Sequence, residues 1–174
     1  MNPGTTVAPC PVVLLSVAGE DRPNIITLSW VANVCSNPPT IVAGIRPSRH
    51  SYALVKKAGE FVLNIPSTEQ IEGTEFAGTK SGRDHDKFAE CGFTPAPATN
   101  VDAPMIKECP INIECKTTQI IPLGAHDLFV AEVVAVHMDE SILNENGRFD
   151  ASKTSLFTYL PLNGQYWTLG KQIP

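Results

Sequence analysis

Residues that interrupt regular structure most constrain what this chain can fold into. Fifteen prolines and twelve glycines break its 174 residues into short segments, and many of those segments are rich in β-branched residues. Several short strands with two or three inserted helices predict a mostly β fold of the α+β kind, a small barrel with helical decorations. Periodicity alone neither closes such a barrel nor orders its strands.

Short apolar runs and alternating patterns predict six strands. The first two form a hairpin, because the turn-forming cluster Gly19–Pro23 separates them. In the fifth, apolar and polar side chains alternate, as they do in a half-buried strand. The predicted strands are Val12–Ala18, Asn24–Leu28, Thr40–Ile45, Glu60–Ile65, Ile111–Thr117 and Leu128–Val136.

Three segments carry helical signals. Ser48 is the expected N-cap of a short helix that ends at Gly59. A second helix is expected to run from Ser67 to about Ala77, and a brief helical turn follows around Asp86–Cys91. These helices are too short to build a fold by themselves, so they decorate the sheet.

The composition is that of a globular protein and argues against several partners. Apolar residues make up 43% of the chain and charged residues 18%, with a net charge of −5, so Lys and Arg are not in excess to neutralise a nucleic-acid backbone. No apolar run approaches the ~20 residues that span a bilayer. The segment Met1–Thr5 lacks both the basic and the apolar part of a signal peptide. We therefore expect a cytoplasmic protein with no nucleic-acid or membrane partner.

The cysteines and the acidic cluster do not predict a metal site. The five cysteines are odd in number, contain no C-x-x-C pair, and are expected to be free thiols in a reducing compartment. Cys10 and Cys35 flank candidate segments and are the two that could have a redox role. The adjacent side chains of Asp84, His85 and Asp86 would not face one ion.

The segment Arg46–Ser51 lies between a predicted strand and a helix start, and it is a candidate phosphate site. A helix start exposes unpaired N–H groups and the positive end of the helix dipole. Serines, arginines and a histidine in the same segment add further donors for one phosphate group. The alternative is an ordinary surface helix start with solvated basic residues.

Other candidate segments have equally ordinary alternatives. In Asn24–Trp30, small polar residues alternate with apolar ones, which suits a strand laid along a flat, polar-edged ring or simply a hairpin strand with a packed Trp. Gly78–Phe88 fails the phosphate-loop pattern and is expected to be a solvated loop, although Lys87 beside Phe88 could turn inward. His126 precedes the longest strand and could titrate near neutral pH or be an ordinary loop residue. No G-x-G-x-x-G dinucleotide fingerprint is present.

The order of these segments is more specific than any one of them. The succession comprises Asn24–Trp30, Asn37-Pro38-Pro39, Pro47–Ser51, Gly59–Asn64, Ser81–Phe88, Gly124–Val133 and Tyr159. From about Pro9 to Lys171, it resembles the flavin reductase-like, FMN-binding split-barrel family, and within it the flavoredoxin and archaeal ferric reductase branch. One departure stands out, since Gly-Asp-His is common in the family where this chain has Gly124-Ala125-His126.

The resemblance implies a fold, an assembly and a set of binding residues. It implies a six-stranded Greek-key split β-barrel, one domain over residues 1–174, in an obligate homodimer with non-covalent FMN near the interface. The residues implied for the isoalloxazine and ribityl portion are Asn24, Thr27, Leu28, Ser29 and Trp30. Those implied for the phosphate are Ser48, Arg49, His50 and Ser51, and those around the ring are Lys87, His126 and Tyr159. Lys87 and His126 are the candidates for tuning the flavin potential, because a cation or donor near the ring stabilises reduced flavin.

Three functions remain open at this level. The first is a flavoprotein oxidoreductase, a flavin or ferric reductase or a flavoredoxin-type electron carrier, that moves electrons from NAD(P)H or a redox protein partner through FMN to an acceptor. The second is a non-catalytic module that stores or senses FMN. The third is an interaction domain that binds no flavin.

Overall fold

Twelve strands and three short α-helices make up the computed structural model, which describes residues 3–173. The first six strands are β1 (Cys10–Pro11), β2 (Val13–Val17), β3 (Asn24–Leu28), β4 (Val31–Ser36), β5 (Pro39–Ile45) and β6 (Glu60–Ile65). The others are β7 (Pro95–Ala96), β8 (Met105–Ile106), β9 (Ile111–Pro122), β10 (Asp127–Met138), β11 (Phe157–Leu160) and β12 (Gln165–Thr168). The α-helices are α1 (His50–Ala58), α2 (Ile71–Thr79) and α3 (Lys87–Cys91). None of the three has the length and apolar character that crossing a bilayer requires.

The main sheet closes on itself through one bent strand. Its antiparallel order is β3-β2-β6-β9-β10-β5-β4, so β3 and β4 lie at opposite edges. Only Ser29 and Trp30 separate these two strands in the chain. The chain itself therefore joins the two edges, and β3 with β4 counts as one strand of a six-stranded barrel. This arrangement confirms the predicted mostly β fold and the split barrel.

The barrel interior explains the apolar runs of the sequence. One face of β2 turns Val13, Leu15 and Val17 inward, where they pack with side chains of β5, β6 and β10. The opposite face buries Leu14 against Ala77 of α2 and Phe88 of α3. Because both faces of β2 are covered, its run is continuously apolar and does not alternate.

The helices begin and end close to the predicted positions, with one shift. Ser67 caps the turn that leads into α2, and its backbone N–H donates to Gln70 Oε1 at 2.9 Å in a capping box. The predicted N-cap Ser48 is wrong by one residue, because Arg49 has the extended cap conformation and α1 begins at His50. Arg49 forms no side-chain cap, so the N–H groups of His50 and Ser51 stay available, while the Tyr52 N–H donates to the Arg49 carbonyl at 3.0 Å.

The carboxyl-terminal hairpin packs on the barrel from the side of β1. The strands β11 and β12 pair with each other, and β11 also pairs with β1, where Cys10 lies opposite Tyr159. This three-stranded sheet brings the aromatic tail of the chain back to the start of the barrel. Residues 1, 2 and 174, which the predicted domain includes, lie outside the described residues.

Candidate functional site

Two adjoining cavities occupy the side of the barrel where β3 bends into β4. The larger has a volume of about 600 Å³ and the smaller about 120 Å³. They adjoin because both are lined by Ile26, Arg49 and Gly78. A volume of this total is in the range of pockets that hold cofactor-sized molecules.

An aromatic pair forms one wall of the larger cavity. The rings of Trp30 and His126 lie 4.3 Å apart between centroids and are tilted by 42°. Trp30 is 40% exposed and Gly44 packs directly beneath it, where an added Cβ would lie 3.5 Å from Trp30 Cβ. The bend between β3 and β4 therefore presents an indole face to the cavity.

Arg46 contacts His126 and affects both the tautomer and the pKa of its ring. The Nε of Arg46 donates a hydrogen bond to Nε2 of His126 at 3.2 Å, so Nε2 accepts and the ring proton is on Nδ1. Partial burial, followed by the charges of Arg46 and Arg49, lowers the pKa of His126. The cation at this wall is therefore the Arg46 guanidinium, and His126 is a neutral imidazole near neutral pH.

The wall made by β3 is anchored to α2 and α1. The Thr27 hydroxyl donates to the carbonyl of Thr74 on α2 at 2.5 Å. At the start of the strand, Asn24 Nδ2 donates to Ser51 Oγ at 2.7 Å, and both side chains are buried. These two bonds fix β3 relative to both helices, so the predicted strand residues lie in one rigid wall.

The smaller cavity lies at the amino-terminal end of α1. It is lined by Ser48, Arg49, His50 and Ser51, the residues that the sequence predicts for a phosphate. Burial, followed by the charges of Arg83, Lys87 and Arg22, lowers the pKa of His50. The cavity therefore combines a helix start, hydroxyl groups and several cations, which is the usual composition of an anion site.

The loop after α2 closes the smaller cavity. Lys80, Ser81, Gly82 and Arg83 all line it, and Arg22 Nη2 donates to the Gly82 carbonyl at 3.4 Å. Gly82 packs so closely that an added Cβ would overlap Asn24 Oδ1 and lie 3.0 Å from His50 Cδ2. The expectation of a solvated loop is right for the exposed Lys80, Arg83 and Asp84 and wrong for the buried Gly82, which contacts residues far away in sequence.

Lys87 lies beside the smaller cavity and is almost completely buried. Its side chain is only 3% exposed, and Nζ donates to the carbonyls of Ile25 and Ala77 at 2.8 and 2.7 Å. Burial, with the charge of Arg49 as a second cause, lowers the pKa of Lys87 to about 8. The Lys87 side chain thus points inward, as its apolar neighbour Phe88 indicated in the sequence. It lines the smaller cavity and not the larger one.

The carboxyl-terminal hairpin covers the other side of the larger cavity. Tyr159 and Tyr166 line it, with their ring centroids 5.4 Å apart. Burial and the charge of Glu75 raise the pKa of Tyr166, so its hydroxyl stays protonated. This face is therefore aromatic, with neutral hydroxyl groups and one carboxylate.

All twelve predicted site residues meet around these two cavities. Thr27, Leu28, Ser29, Trp30, His126 and Tyr159 line the larger one, Ser48, His50, Ser51 and Lys87 line the smaller one, and Arg49 lines both. Asn24 reaches the site through its bond to Ser51. Their roles toward a ligand stay predictions.

Sequence reasoning missed a second group of lining residues. Glu75 and Thr79 on α2, Tyr166 on β12, and Lys80 and Arg83 on the closing loop have no local signal that ties them to a site. The only available hint was the density of glycine and basic residues between positions 78 and 83.

Cys10 and Cys35 lie in different environments. Cys10 is buried in β1 and its thiol donates to the Val7 carbonyl at 3.2 Å, whereas Cys35 is exposed near the turn after β4. Neither is among the residues that line the two cavities within the described part of the chain. A redox role for either thiol stays a prediction.

Comparison with known proteins identifies the family of this chain. The family model described as "Flavin reductase like domain" matches residues 7–161. A protein of Archaeoglobus fulgidus is 35% identical over 122 residues, which cover 70% of this chain and 69% of the relative. The structure of flavoredoxin of Desulfovibrio vulgaris (Miyazaki F) is 32% identical and similar with a TM-score of 0.94, over 100% of this chain and 94% of that one.

A further similar structure is that of a flavin-binding protein. The FMN-binding protein from Thermus thermophilus with bound 1-cyclohex-2-enone is 25% identical, with a TM-score of 0.84 over 100% of this chain and 96% of that one. The family model matches most of the chain, and the split barrel has cavities at the predicted positions. The chain therefore belongs to the flavin reductase like domain family and is a flavin-related oxidoreductase.

Proposed function

We propose that this protein binds FMN without a covalent bond and moves electrons through it from NAD(P)H or a protein donor to an acceptor. The observation that carries the proposal is the pair of adjoining cavities, one with an aromatic wall and the other small and cationic. A flavin mononucleotide has the same two parts, a flat ring system and a phosphate.

The residues present fit the phosphate end of this ligand. The first turn of α1 has no side-chain cap, so the N–H groups of His50 and Ser51 are available to an anion, whereas that of Tyr52 donates to the Arg49 carbonyl. Lys87 is a buried cation, and a buried charge is stable only when it is hydrogen-bonded or paired with an opposite charge. Ser48, Arg49, His50 and Ser51 would hold the phosphate from the helix side, and the loop with Gly82 and Arg83 from the other side.

The larger cavity fits the ring end. Trp30 offers an aromatic face, Thr27 to Ser29 offer backbone groups along one edge, and Arg46 offers a cation. The Tyr159 and Tyr166 rings exclude water from the opposite side. Bound FMN supplies the electron-accepting and electron-donating centre, and the chain contributes orientation and charge.

We also propose that the molecule works as a homodimer built from one domain over residues 1–174. Apolar side chains stand exposed on the barrel, among them Val34 of β4 at 54% and Val136 of β10 at 51%. Exposed apolar side chains close together on a sheet are typical of a surface that another chain covers. A second copy would also restrict the opening of the larger cavity.

Titration with FMN tests the binding. Purified protein mixed with FMN under anaerobic conditions should show saturable quenching of flavin fluorescence and the shifted absorbance of bound flavin. Protein that neither carries flavin nor changes the spectrum of added FMN would contradict the proposal and favour the flavin-independent interaction domain.

A second measurement distinguishes an electron-transfer protein from a storage module. The FMN-loaded protein should be bleached by NADH, by NADPH or by a reduced ferredoxin-type protein, and reoxidised by a ferric complex or free flavin. Tight FMN binding without reduction by any of these donors would support the non-catalytic module.

A further inference from the structure

Lys87 is a buried cation without a carboxylate partner. Among residues 3–173 its ammonium forms no ion pair, and its only recorded bonds go to the carbonyls of Ile25 and Ala77. An ammonium group has three N–H donors, so one is left for a ligand in the cavity that Lys87 lines.

The surroundings of Lys87 make its charge more costly. Arg49 and His50 at the start of α1 and Arg83 on the closing loop are all basic groups around the same cavity. The Cys91 thiol on α3 stays neutral because burial raises its pKa to about 11, and Asp84 is the carboxylate that acts on His50. The helix cap Asp86 uses its Oδ1 for the N–H of Ala89.

Among the described residues, the side chains that line this cavity include Arg49, Lys80, Arg83 and Lys87 and no carboxylate, so the lining favours an anionic ligand. Buried charges in proteins are compensated by a partner or they lose their charge. Burial and Arg49 already lower the pKa of Lys87 to about 8, so the ammonium is held weakly without a ligand. A dianion in the cavity would raise the pKa of Lys87 again, because a nearby negative charge favours the protonated form.

We propose that Lys87 is the buried counter-charge of the flavin phosphate, and that phosphate binding at alkaline pH is coupled to proton uptake by this lysine. The inference rests on the proposed FMN binding and assigns Lys87 to the phosphate end of the ligand. Lys87 also connects the two ends of the site, because Ile25 lies on the β3 wall and Ala77 on α2.

The pH dependence follows from this coupling. Below pH 8 the lysine is protonated with and without ligand, so FMN affinity is insensitive to its titration. Above pH 8 the free protein loses this proton while the complex keeps it, and affinity falls by up to about tenfold per pH unit. Riboflavin has no phosphate, and its affinity should not change in this way.

The test compares Lys87→Met with the unchanged protein, using FMN and riboflavin as probes. At pH 7 the substitution should weaken FMN binding by about 10- to 100-fold and leave riboflavin affinity within about twofold. The same substitution at an exposed position remote from both cavities, Lys107→Met, should change neither affinity.

Calorimetry of the unchanged protein tests the coupling without any variant. FMN titrations at pH 8.5, in two buffers that differ in ionisation enthalpy, should reveal uptake of a fraction of a proton. Binding of FMN without proton uptake would overturn the inference while the proposed function stands. Equal losses of FMN and riboflavin affinity in Lys87→Met would overturn it too, whereas no FMN binding at all would refute the proposed function itself.

Discussion

Single residues control the charge at both ends of the site. In the larger cavity burial and then the charge of Arg46, which donates to His126, lower the pKa of that imidazole, and in the smaller cavity burial and then Arg83, Lys87 and Arg22 lower the pKa of His50. Both histidines have lowered pKa values for the same first reason, which is burial. The positive charge of the site near neutral pH therefore comes from arginine and lysine, and the histidines act as neutral hydrogen-bonding groups.

Replacing Arg46 should release His126. In Arg46→Gln the pKa of His126 is expected to rise, because a nearby positive charge that disfavours imidazolium is removed. Titration of the His126 ring signals by NMR measures this without any ligand. Arg22→Gln is the matched control, since Arg22 acts on His50. A fall in the pKa of His126 in Arg46→Gln would contradict the assigned contact.

Gly82 is the position where a single methyl group should matter most. In Gly82→Ala the new Cβ overlaps Asn24 Oδ1, so the closing loop or the Asn24–Ser51 bond must shift. We expect a loss of about 1–3 kcal/mol in the free energy of unfolding and weaker FMN binding. Denaturant unfolding and fluorescence titration measure the two effects. Gly170→Ala, where an added Cβ meets nothing within 4 Å, should change neither, and an unaffected Gly82→Ala would refute the close packing.

Among the elements, β9 contributes a buried carboxylate outside the proposed site. Glu114 is 0% exposed and accepts hydrogen bonds from the N–H and hydroxyl of Thr99, from the N–H of Asn100 and from His137. Burial alone would raise its pKa, but these bonds outweigh burial and lower the pKa of Glu114 to about 2. One side chain thus fastens the segment before β8 to the barrel.

Stability should therefore depend on Glu114 in acid. The pKa of Glu114 is lower in the folded chain than in the unfolded chain, so its contribution is present above about pH 4.5 and is lost as the pH falls towards 2. In Glu114→Gln an amide NH₂ faces N–H donors, and we expect a loss of about 2–4 kcal/mol at pH 7 that shrinks at pH 3. Thermal unfolding at both pH values measures the loss. Glu132→Gln, exposed on β10, is the control, and a loss independent of pH would contradict the assignment.

At the scale of the whole molecule, three apolar side chains stand exposed on β4 and β10 of the barrel. Val34 near the β4–β5 turn and Val136 with Met138 in the last part of β10 stand exposed at 54%, 51% and 42%. These strands are connected through β5, which pairs with both. A second copy of the chain over this surface would remove the side chains from water and explain why β4 carries apolar residues on its exposed face.

A charged side chain on this surface should dissociate the proposed homodimer. In Val34→Asp a carboxylate replaces an apolar side chain, and we expect the dimer to dissociate at a concentration at least about tenfold higher than the unchanged protein. Sedimentation velocity over a range of concentrations measures the shift. Val7→Asp, at a position 85% exposed, should leave the assembly unchanged. An unchanged protein that sediments as a monomer at all concentrations would contradict the homodimer.

The strand and helix pattern was largely readable from the sequence because its causes are local. Alternation in Ile111–Thr117, apolar runs at β2 and β10, and the glycine after α1 depend on neighbouring residues only, and the structure has elements at each place. The strand β4 was not predicted, because its exposed mixture of apolar and polar residues has no alternation. The family resemblance, and with it the split barrel, came from the order of the motifs.

Tertiary structure alone decided how the site is closed and charged. The loop of residues 80–83 lines a cavity because Gly82 packs against Asn24, 58 positions earlier, and no local pattern encodes that contact. The buried ammonium of Lys87 donates hydrogen bonds to two carbonyls from other elements, and the pKa of His126 is lowered by burial and then by Arg46, 3.2 Å away. Sequence determines which groups are available and in what order. Burial and long-range contacts, which set the pKa values, are properties of the closed barrel.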